Sequence, residues 1–364
     1  MQSALKLAAR GIGSVEPNPA VGCIIVKAGQ VVGKGWHKKF GGPHAEINAL
    51  EDCRNLGVKP DGAEMYVTLE PCCHQGKTGP CTDAVLAAGV AKVVVAAIDP
   101  SPHANGKGIE QLRNASIEVQ VGVCEPEAKL LNAPFFKFVT TGRPWVVLKW
   151  AQSIDGKVAY SQKGDEQQWI SNELSRADAH RLRRRVGAIV VGVNTIIADN
   201  PLLTPRPSKS KKPIRIVLDR SLRVPLTSRL LRTTKSGQVY VCTGEVAAGA
   251  NPNVVERITK KGAEVLACPD GQSNLQFLLN ELGKRGIQQV LVEGGPKVLA
   301  SFLKEGLADE VCVYIASKIL GSSGAVAISE ATSELTTGIG LIHVDIKCFG
   351  NDVRVTGLTE APLD

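Results

Sequence analysis

The feature that most constrains this chain is a set of metal-binding side chains at two places in the sequence. The first is His44-Ala45-Glu46, and the second begins at Pro71-Cys72 and ends at Cys81. One imidazole and two thiolates provide three zinc ligands, and a catalytic zinc site has three protein ligands and an open position for water. Because zinc lowers the pKa of that water towards neutrality, we expect Glu46 to transfer protons beside the metal rather than to bind it.

The pattern matches in part the H-x-E…P-C-x-x-C signature of zinc deaminases that act on bases and nucleotides. The first half matches, whereas eight residues in place of two separate Cys72 from Cys81. The intervening loop contains Lys77 and two glycines, which favours binding of a phosphate or other anion over the open coordination position. The alternative is a structural site in which Cys73 or His74 is a fourth ligand, but the neighbouring carboxylate would then have no role.

These stretches resemble the bifunctional deaminase–reductase family of riboflavin biosynthesis. The matching pieces are N-P-A-V-G at 18–22, H-A-E at 44–46, T-L-E-P-C at 68–72 and the run at 74–81. The resemblance implies a cytidine-deaminase-like, three-layer α/β domain. Zinc would be bound by His44, Cys72 and Cys81, and Glu46 would be catalytic. The substrate would be bound by Asn18 and Lys77.

Length and composition indicate an ordinary globular protein of two domains. The 364 residues exceed what one core usually accommodates, and the 43% hydrophobic content is typical of a soluble chain. Aromatic residues make up only 4%, which argues against stacking on single-stranded nucleic acid. Ten cysteines, several in apolar runs, do not fit a disulfide framework and favour a reduced, cytoplasmic location. No apolar run is long enough to span a membrane.

The net charge of +8 is concentrated in one region, since residues 176–232 contain fourteen Lys or Arg and three Asp. The region could be a solvated face, a site for phosphate-bearing ligands or a nucleic-acid surface. No nucleic-acid-binding motif accompanies the charge. The resemblance to the riboflavin-biosynthesis family implies a small phosphorylated pyrimidine as the partner. We expect no nucleic-acid or membrane partner, and we expect a homo-oligomer.

Predicted strands and helices alternate along the chain, as in an α/β fold. In the first half the predicted strands are 21–26, 31–36, 64–69 and 93–98, and the predicted helices are 43–56 and 81–88. Both parts of the zinc motif then lie at helix starts after strand ends, where an open α/β sheet binds its ligands. A turn-forming stretch at 140–144 predicts a linker, with domains at 1–142 and 143–364. In the second half the predicted strands are 145–150, 188–193, 214–219, 239–242 and 289–293, with a helix at 171–185 and an exposed loop at 204–213.

In the second half a predicted strand ends in Glu293-Gly294-Gly295, and a helix follows with Pro296 at its first position. Two glycines let a ligand approach the backbone closely, and a helix N-terminus presents free N–H groups to an anion such as a pyrophosphate. An ordinary tight turn would have the same sequence. The G-x-G-x-x-G fingerprint is absent, so a typical Rossmann site is not predicted.

The second half resembles the reductase half of the same family, through S-I-D-G-K at 153–157, A-D-N-P at 198–201 and E-G-G-P at 293–296. The resemblance implies a dihydrofolate-reductase-like α/β domain that uses NADPH. The cofactor residues would be Ala151, Trp169, Thr195, Asp199, Gly295, Pro296, Lys297, Val298, Leu299, Ala300 and Ser301. The substrate residues would be Lys149, Gln167, Arg183, Leu203, Arg206 and Glu293.

The resemblance also implies two successive reactions. Zinc-dependent deamination of 2,5-diamino-6-ribosylamino-4(3H)-pyrimidinone 5′-phosphate is followed by NADPH-dependent reduction of the ribosyl chain to ribityl. Two alternatives stay open at this point. One is a polynucleotide base deaminase with an accessory domain, and the other is a monofunctional protein with one inactive half.

Overall fold

The computed structural model describes residues 1–75, 79–160, 169–206, 212–324, 327–328, 332–333, 335 and 337–359. These residues form two compact units, one from Met1 to Gly142 and one that begins at Arg143. Within the described ranges no helix has both the length and the apolar character needed to cross a membrane.

The first unit contains a five-stranded sheet in the order β2-β1-β3-β4-β5. Its strands are β1 (Gly22–Lys27), β2 (Gln30–Trp36), β3 (Glu64–Val67), β4 (Lys92–Val95) and β5 (Glu118–Val121). The β1–β2 hairpin turns at Ala28 and Gly29, which both have positive φ, as two-residue hairpin turns require. The last three strands are parallel, so their carboxyl ends meet at one edge of the sheet.

Six α-helices of the first unit flank this sheet. They are α1 (Gln2–Ala8), α2 (Ala45–Asn55), α3 (Cys81–Ala87), α4 (Lys107–Asn114), α5 (Glu125–Leu131) and α6 (Ala133–Thr141). Their apolar faces, with those of the strands, form a core of small and branched side chains that includes Ile25, Ala49, Met65, Val85, Val93 and Leu112.

Two glycines of β2 let α2 lie directly on the sheet. A Cβ at Gly35 would lie 2.1 Å from the carbonyl oxygen of Ala45, and one at Gly33 would lie 2.5 Å from that of Ala49. A larger side chain at either position would force the helix away from the strand. The contact therefore determines where the first turn of α2 lies.

The second unit contains a nine-stranded sheet in the order β10-β9-β8-β7-β11-β6-β12-β14-β13. The strands are β6 (Trp145–Ser153), β7 (Ala188–Gly192), β8 (Ile214–Leu218), β9 (Val239–Gly244), β10 (Glu264–Cys268), β11 (Gln289–Val292), β12 (Glu310–Ala316), β13 (Leu341–Phe349) and β14 (Asp352–Thr359). The run from β10 to β12 is parallel, and β14 and β13 complete the sheet as an antiparallel pair.

Helices connect the parallel strands of the second unit. They are α7 (Glu173–Arg185), α8 (Val193–Asp199), α9 (Arg229–Arg232), α10 (Glu245–Ala250), α11 (Pro252–Lys260), α12 (Asn274–Lys284) and α13 (Pro296–Lys304). The core is rich in β-branched strand residues and in the leucines of α12. Such continuous apolar strands are typical of a parallel sheet that is covered on both faces.

The predicted elements are confirmed, with shifts at their ends. α2 begins at Ala45 rather than at 43, because His44 has extended backbone angles and is the N-cap. β4 ends at Val95 rather than at 98. β6 continues to Ser153 rather than 150, because it pairs with β12 as far as that residue. The loop predicted at 204–213 lies partly outside the described residues.

The first prediction concerns the independence of the two units, since each has its own sheet and its own core. We expect fragments 1–142 and 143–364 each to fold alone and to unfold cooperatively in urea. The measurement is circular dichroism against urea, with the whole chain as the reference. A soluble fragment that lost its signal gradually, without a transition, would contradict the prediction.

Candidate active sites

Three side chains from separate elements meet in the first unit. His44 is the N-cap of α2, Cys81 is the first residue of α3, and Cys72 follows the end of β3. The Nδ1 atom of His44 lies 3.5 Å from the Cys72 sulfur and 3.3 Å from the Cys81 sulfur. Among the described residues, this is the only group of three or more His, Cys, Asp or Glu side chains placed to bind one metal ion.

The geometry fits tetrahedral zinc. Zn–N and Zn–S bonds of about 2.0 and about 2.3 Å imply nitrogen–sulfur separations of about 3.5 Å, and the three ligand atoms all lie within 4.8 Å of one another. Cys73 and His74 lie outside this group. The Cys73 sulfur contacts the backbone oxygen of His103, and the His74 ring packs against the His103 ring. Within the part of the chain that the structure describes, the arrangement thus provides three ligand side chains and no fourth.

Hydrogen bonds within the group favour a thiolate at Cys72. The hydrogen bond from the Cys81 thiol lowers the pKa of Cys72 to about 4, and the same interaction raises the pKa of Cys81. The backbone N–H of Cys81, at the start of α3, lies 3.4 Å from the Cys72 sulfur as a further donor. A helix N-terminus stabilises a nearby thiolate in this way.

Glu46 lies in the first turn of α2 and is only 3% exposed. Burial raises the pKa of its carboxyl to about 7. A carboxyl that titrates near neutrality can both accept and release a proton during a reaction. The proton-transfer role of Glu46 stays a prediction.

Asn18 reaches the site through a histidine that the sequence analysis missed. The Asn18 side-chain nitrogen lies 3.3 Å from His37 Nε2, and His37 Nδ1 lies 3.0 Å from the Pro43 oxygen. The His37 ring meets the His44 ring edge-on, with 5.3 Å between centroids. Burial lowers the pKa of His37. A lone histidine at the end of β2 provided no sequence signal. Lys77 lies outside the described residues.

Glu70, in the T-L-E-P-C stretch, forms buried hydrogen bonds that the sequence did not predict. Its buried carboxylate accepts hydrogen bonds from the backbone N–H groups of Asp99, Gly106 and Gly108, at 3.2, 2.9 and 2.8 Å. These hydrogen bonds hold the loop before α4 and the first turn of α4 beside Pro71. The segment that leads to the first cysteine ligand is thereby held in place.

In the second unit, charged side chains gather at the carboxyl end of β11 and in the middle of the neighbouring β6. Val292 pairs with Leu148, so the next residues, Glu293 and Lys149, lie side by side. Arg183 donates two hydrogen bonds to Glu293, both 2.7 Å long. Burial tends to raise the pKa of Glu293, but the positive charge of Arg183 overcomes it and lowers that pKa to about 2.

The remaining predicted substrate residues lie near the end of α7 or in the loop that follows α8. Arg183 also donates to the Thr204 oxygen at 3.4 Å, and the backbone oxygen of Arg206 accepts a hydrogen bond from Arg184. Leu203 is buried and has a positive φ of 54°, which is unusual for a branched residue. Gln167 lies outside the described residues.

The predicted cofactor turn forms the start of α13, with Gly295 as N-cap and Pro296 in the first turn. Its two glycines differ. A Cβ at Gly294 would lie 2.6 Å from the Val298 side chain, whereas the nearest atom to one at Gly295 is the Thr195 hydroxyl, 3.9 Å away. Gly294 is therefore needed for packing, while Gly295 borders open space beside Thr195.

The other predicted cofactor residues differ in their exposure and in their contacts. Leu299 is buried in the core, while Lys297 and Ser301 are exposed and joined by a hydrogen bond from the serine hydroxyl to the lysine oxygen. Trp169 is 50% exposed and stacks under Arg176. Three residues complete the set: Ala151 on β6, Asp199 at the end of α8, and Ala300 on α13.

Comparisons with known proteins match both units. The family described as the cytidine and deoxycytidylate deaminase zinc-binding region matches residues 1–97, and the RibD C-terminal domain matches residues 144–355. The riboflavin biosynthesis protein RibD of Aquifex aeolicus is 47% identical over 88% of this chain and 87% of its own length. Its counterpart from Actinobacillus pleuropneumoniae is 38% identical over 100% of this chain and 95% of its own.

Two solved structures are similar over nearly the whole chain. Acinetobacter baumannii RibD, form 1, has a TM-score of 0.83 and 38% identity, and the match covers 99% of this chain and 98% of that one. A diaminohydroxyphosphoribosylaminopyrimidine deaminase/5-amino-6-(5-phosphoribosylamino)uracil reductase from Thermotoga maritima has a TM-score of 0.82 and 36% identity, with 99% and 97% covered.

The second prediction concerns the zinc ligands. We expect the purified chain to contain about one zinc ion per molecule. Cys72→Ser and Cys81→Ser should lose most of it, because a neutral hydroxyl is a poor zinc ligand. Cys73→Ser is the matched control, since Cys73 lies outside the ligand group, and it should retain the metal. Metal analysis of the three variants tests this, and loss of zinc from the control would overturn the ligand assignment.

The third prediction concerns the two glycines before α13. Gly295→Leu should leave thermal stability nearly unchanged but weaken NADPH binding by about tenfold or more, because its side chain enters open space beside Thr195. Gly294→Ala should instead lower thermal stability, because its methyl group meets Val298. NADPH titration by fluorescence and thermal melts measure the two effects. Unchanged NADPH binding in Gly295→Leu would contradict the prediction.

Proposed function

The chain belongs to the RibD family of bifunctional riboflavin-biosynthesis enzymes, and from that membership we propose how its own residues divide the two reactions. It is a zinc-dependent deaminase joined to an NADPH-dependent reductase. The observation that most supports the division of roles is the three-ligand group in the first unit, with the buried Glu46 carboxyl two residues after one ligand.

The first reaction replaces an exocyclic amine of 2,5-diamino-6-ribosylamino-4(3H)-pyrimidinone 5′-phosphate with oxygen from water and releases ammonia. Zinc bound by His44, Cys72 and Cys81 would supply a water molecule of lowered pKa. Glu46 accepts the two protons of the attacking water in turn and delivers one to the ring nitrogen and one to the departing amine, so that the water oxygen becomes the new carbonyl oxygen. Its pKa of about 7 supports both transfers. Asn18, positioned by its contact with His37, orients the pyrimidine ring.

In the second reaction a hydride from NADPH and a proton reduce the ribosyl group to ribityl, and NADP⁺ is released. The start of α13 and Thr195 bind the cofactor, since Gly295 leaves room there for a ligand. Glu293 stays ionised because Arg183 lowers its pKa, so it can accept hydrogen bonds from the sugar hydroxyls. Lys149, on β6 beside Glu293, is the candidate for polar assistance at the reacting carbon, together with Asp199.

Two alternative functions have less support. A polynucleotide base deaminase would not need a second unit in which Arg183, Glu293 and Lys149 gather near β6 and β11. A monofunctional protein would not need to retain both sets of residues. A coupled assay with the free pyrimidine phosphate, in which ammonia release and NADPH loss are recorded separately, tests the proposal. Ammonia release without any NADPH loss would support the monofunctional alternative.

The cellular setting and the assembly are also proposals. A cytoplasmic location is supported by the cysteines, all ten of which are free thiols. A homo-oligomer is supported by β13, the edge strand of the larger sheet, where Ile342, Val344 and Ile346 are 41%, 50% and 65% exposed. An exposed apolar edge strand is normally covered by another chain or protected from pairing.

The fourth prediction concerns Glu46. Glu46→Gln preserves shape but cannot transfer protons, so ammonia release should fall by about two or more powers of ten. Zinc content and reduction of the already deaminated substrate should not change. Glu51→Gln, an exposed change on the same helix, is the matched control and should keep full deaminase activity. Near-normal ammonia release by Glu46→Gln would remove Glu46 from the mechanism.

A further inference from the structure

His180 lies on α7, and the hydrogen bonding of its ring is unusual. Its Nδ1 atom is buried and has no hydrogen-bond partner. The other ring nitrogen, Nε2, is not buried, and it has no hydrogen-bond partner among the described residues. Buried polar atoms in folded proteins nearly always have partners, so a histidine left in this state calls for an explanation.

The charges around this ring are mainly positive. Arg183 is one helical turn further along α7, and the charges of Arg206 and Lys149 also act on His180, against the single carboxylate of Glu293. Burial, reinforced by these three cations, lowers the pKa of His180 to about 4. The imidazole is therefore neutral at physiological pH, in a region whose net charge attracts an anion.

The surroundings also select one tautomer of the neutral ring. A proton on Nδ1 would be buried without an acceptor, whereas a proton on Nε2 can be donated to water or to a ligand. Nε2–H is therefore a hydrogen-bond donor without an acceptor among the described residues. The Arg183 guanidinium, by contrast, already donates to Glu293 and Thr204.

We propose that the Nε2–H of His180 donates a hydrogen bond to the 5′-phosphate of the reductase substrate, beside the guanidinium of Arg206. The proposal rests on the proposed function of the second unit. It adds a neutral donor to a phosphate site that would otherwise depend on arginines alone. Glu293, which follows β11, and Lys149, on β6, are left to contact the sugar.

The cofactor is the other source of phosphate, and the charges that act on His180 favour the substrate. The open space for NADPH lies at Gly295 and Thr195. His180 is instead grouped with Arg183, Glu293 and Lys149. A contact with the substrate should change its KM, whereas a contact with the cofactor should change the Kd of NADPH.

Three variants of His180 test which ring nitrogen donates the hydrogen bond. His180→Gln has an amide nitrogen as many bonds from Cα as Nε2, whereas the nitrogen of His180→Asn corresponds to Nδ1, and His180→Leu has no donor. We expect the Asn and Leu variants to raise the KM of the deaminated substrate by about tenfold or more. His180→Gln should stay within about threefold of wild type. NADPH Kd and ammonia release should be unchanged in all three.

The dephosphorylated substrate distinguishes a phosphate contact from a structural effect. Wild type and His180→Leu should have the same KM for it, because neither can form the proposed hydrogen bond. A KM for the phosphorylated substrate that is unchanged in the Asn and Leu variants would overturn the proposal. So would an equal loss with both substrates, or a rise in NADPH Kd alone. Failure of wild type to oxidise NADPH with the deaminated substrate would instead reject the proposed function.

A measurement on the wild-type chain does not depend on the folding of any variant. Diethyl pyrocarbonate modifies neutral imidazole nitrogens, and mass spectrometry can follow the peptide that contains His180. Saturating deaminated substrate should slow this modification by about tenfold or more, and NADPH alone should not. An unchanged rate in the presence of substrate would overturn the proposal.

Discussion

The deaminase site depends on the close packing of α2 against the β1–β2 hairpin. Gly35 allows the helix backbone to lie where any Cβ would meet the Ala45 oxygen at 2.1 Å. This contact determines the position of the first turn of α2, which begins at the His44 ligand and contains Glu46. Glu46 is buried there, and burial raises the pKa of that carboxyl to about 7. Backbone packing thus determines where the Glu46 carboxyl lies in the turn after His44.

The pKa of a buried carboxyl is raised in the first site and lowered in the second. The backbone hydrogen bond and the charge of His44 that oppose burial of Glu46 do not overcome it. Glu293 instead forms two hydrogen bonds of 2.7 Å with Arg183 and has a pKa of about 2. A carboxyl that exchanges protons works best with a pKa near the working pH, whereas a carboxyl with a low pKa stays an acceptor. Burial, reinforced by the charge of Arg183, lowers the pKa of His180, and the same Arg183 charge lowers the pKa of Glu293.

Much of the molecule could be predicted from local sequence. The hairpin, the alternation of strands and helices, and the zinc residues follow from apolar periodicity and from motif spacing, and the structure places the three ligands together. Element ends were harder to predict, because they depend on pairing with distant strands. β6 extends to Ser153 only because β12 lies beside it. The difference between Gly294 and Gly295 was also not predictable, since it depends on where Val298 and Thr195 lie.

The sequence by itself determined the chemistry, because ligand types, a nearby carboxylate and a Gly-Gly turn are covalent facts of the chain. Tertiary structure decided which groups act together. His37 and Glu70 belong to the first site only because the fold brings a strand end and a loop beside α2 and β3. The state of His180 depends on charges from three other elements. Burial and electrostatic interactions act through space, so residue order along the chain cannot reveal them.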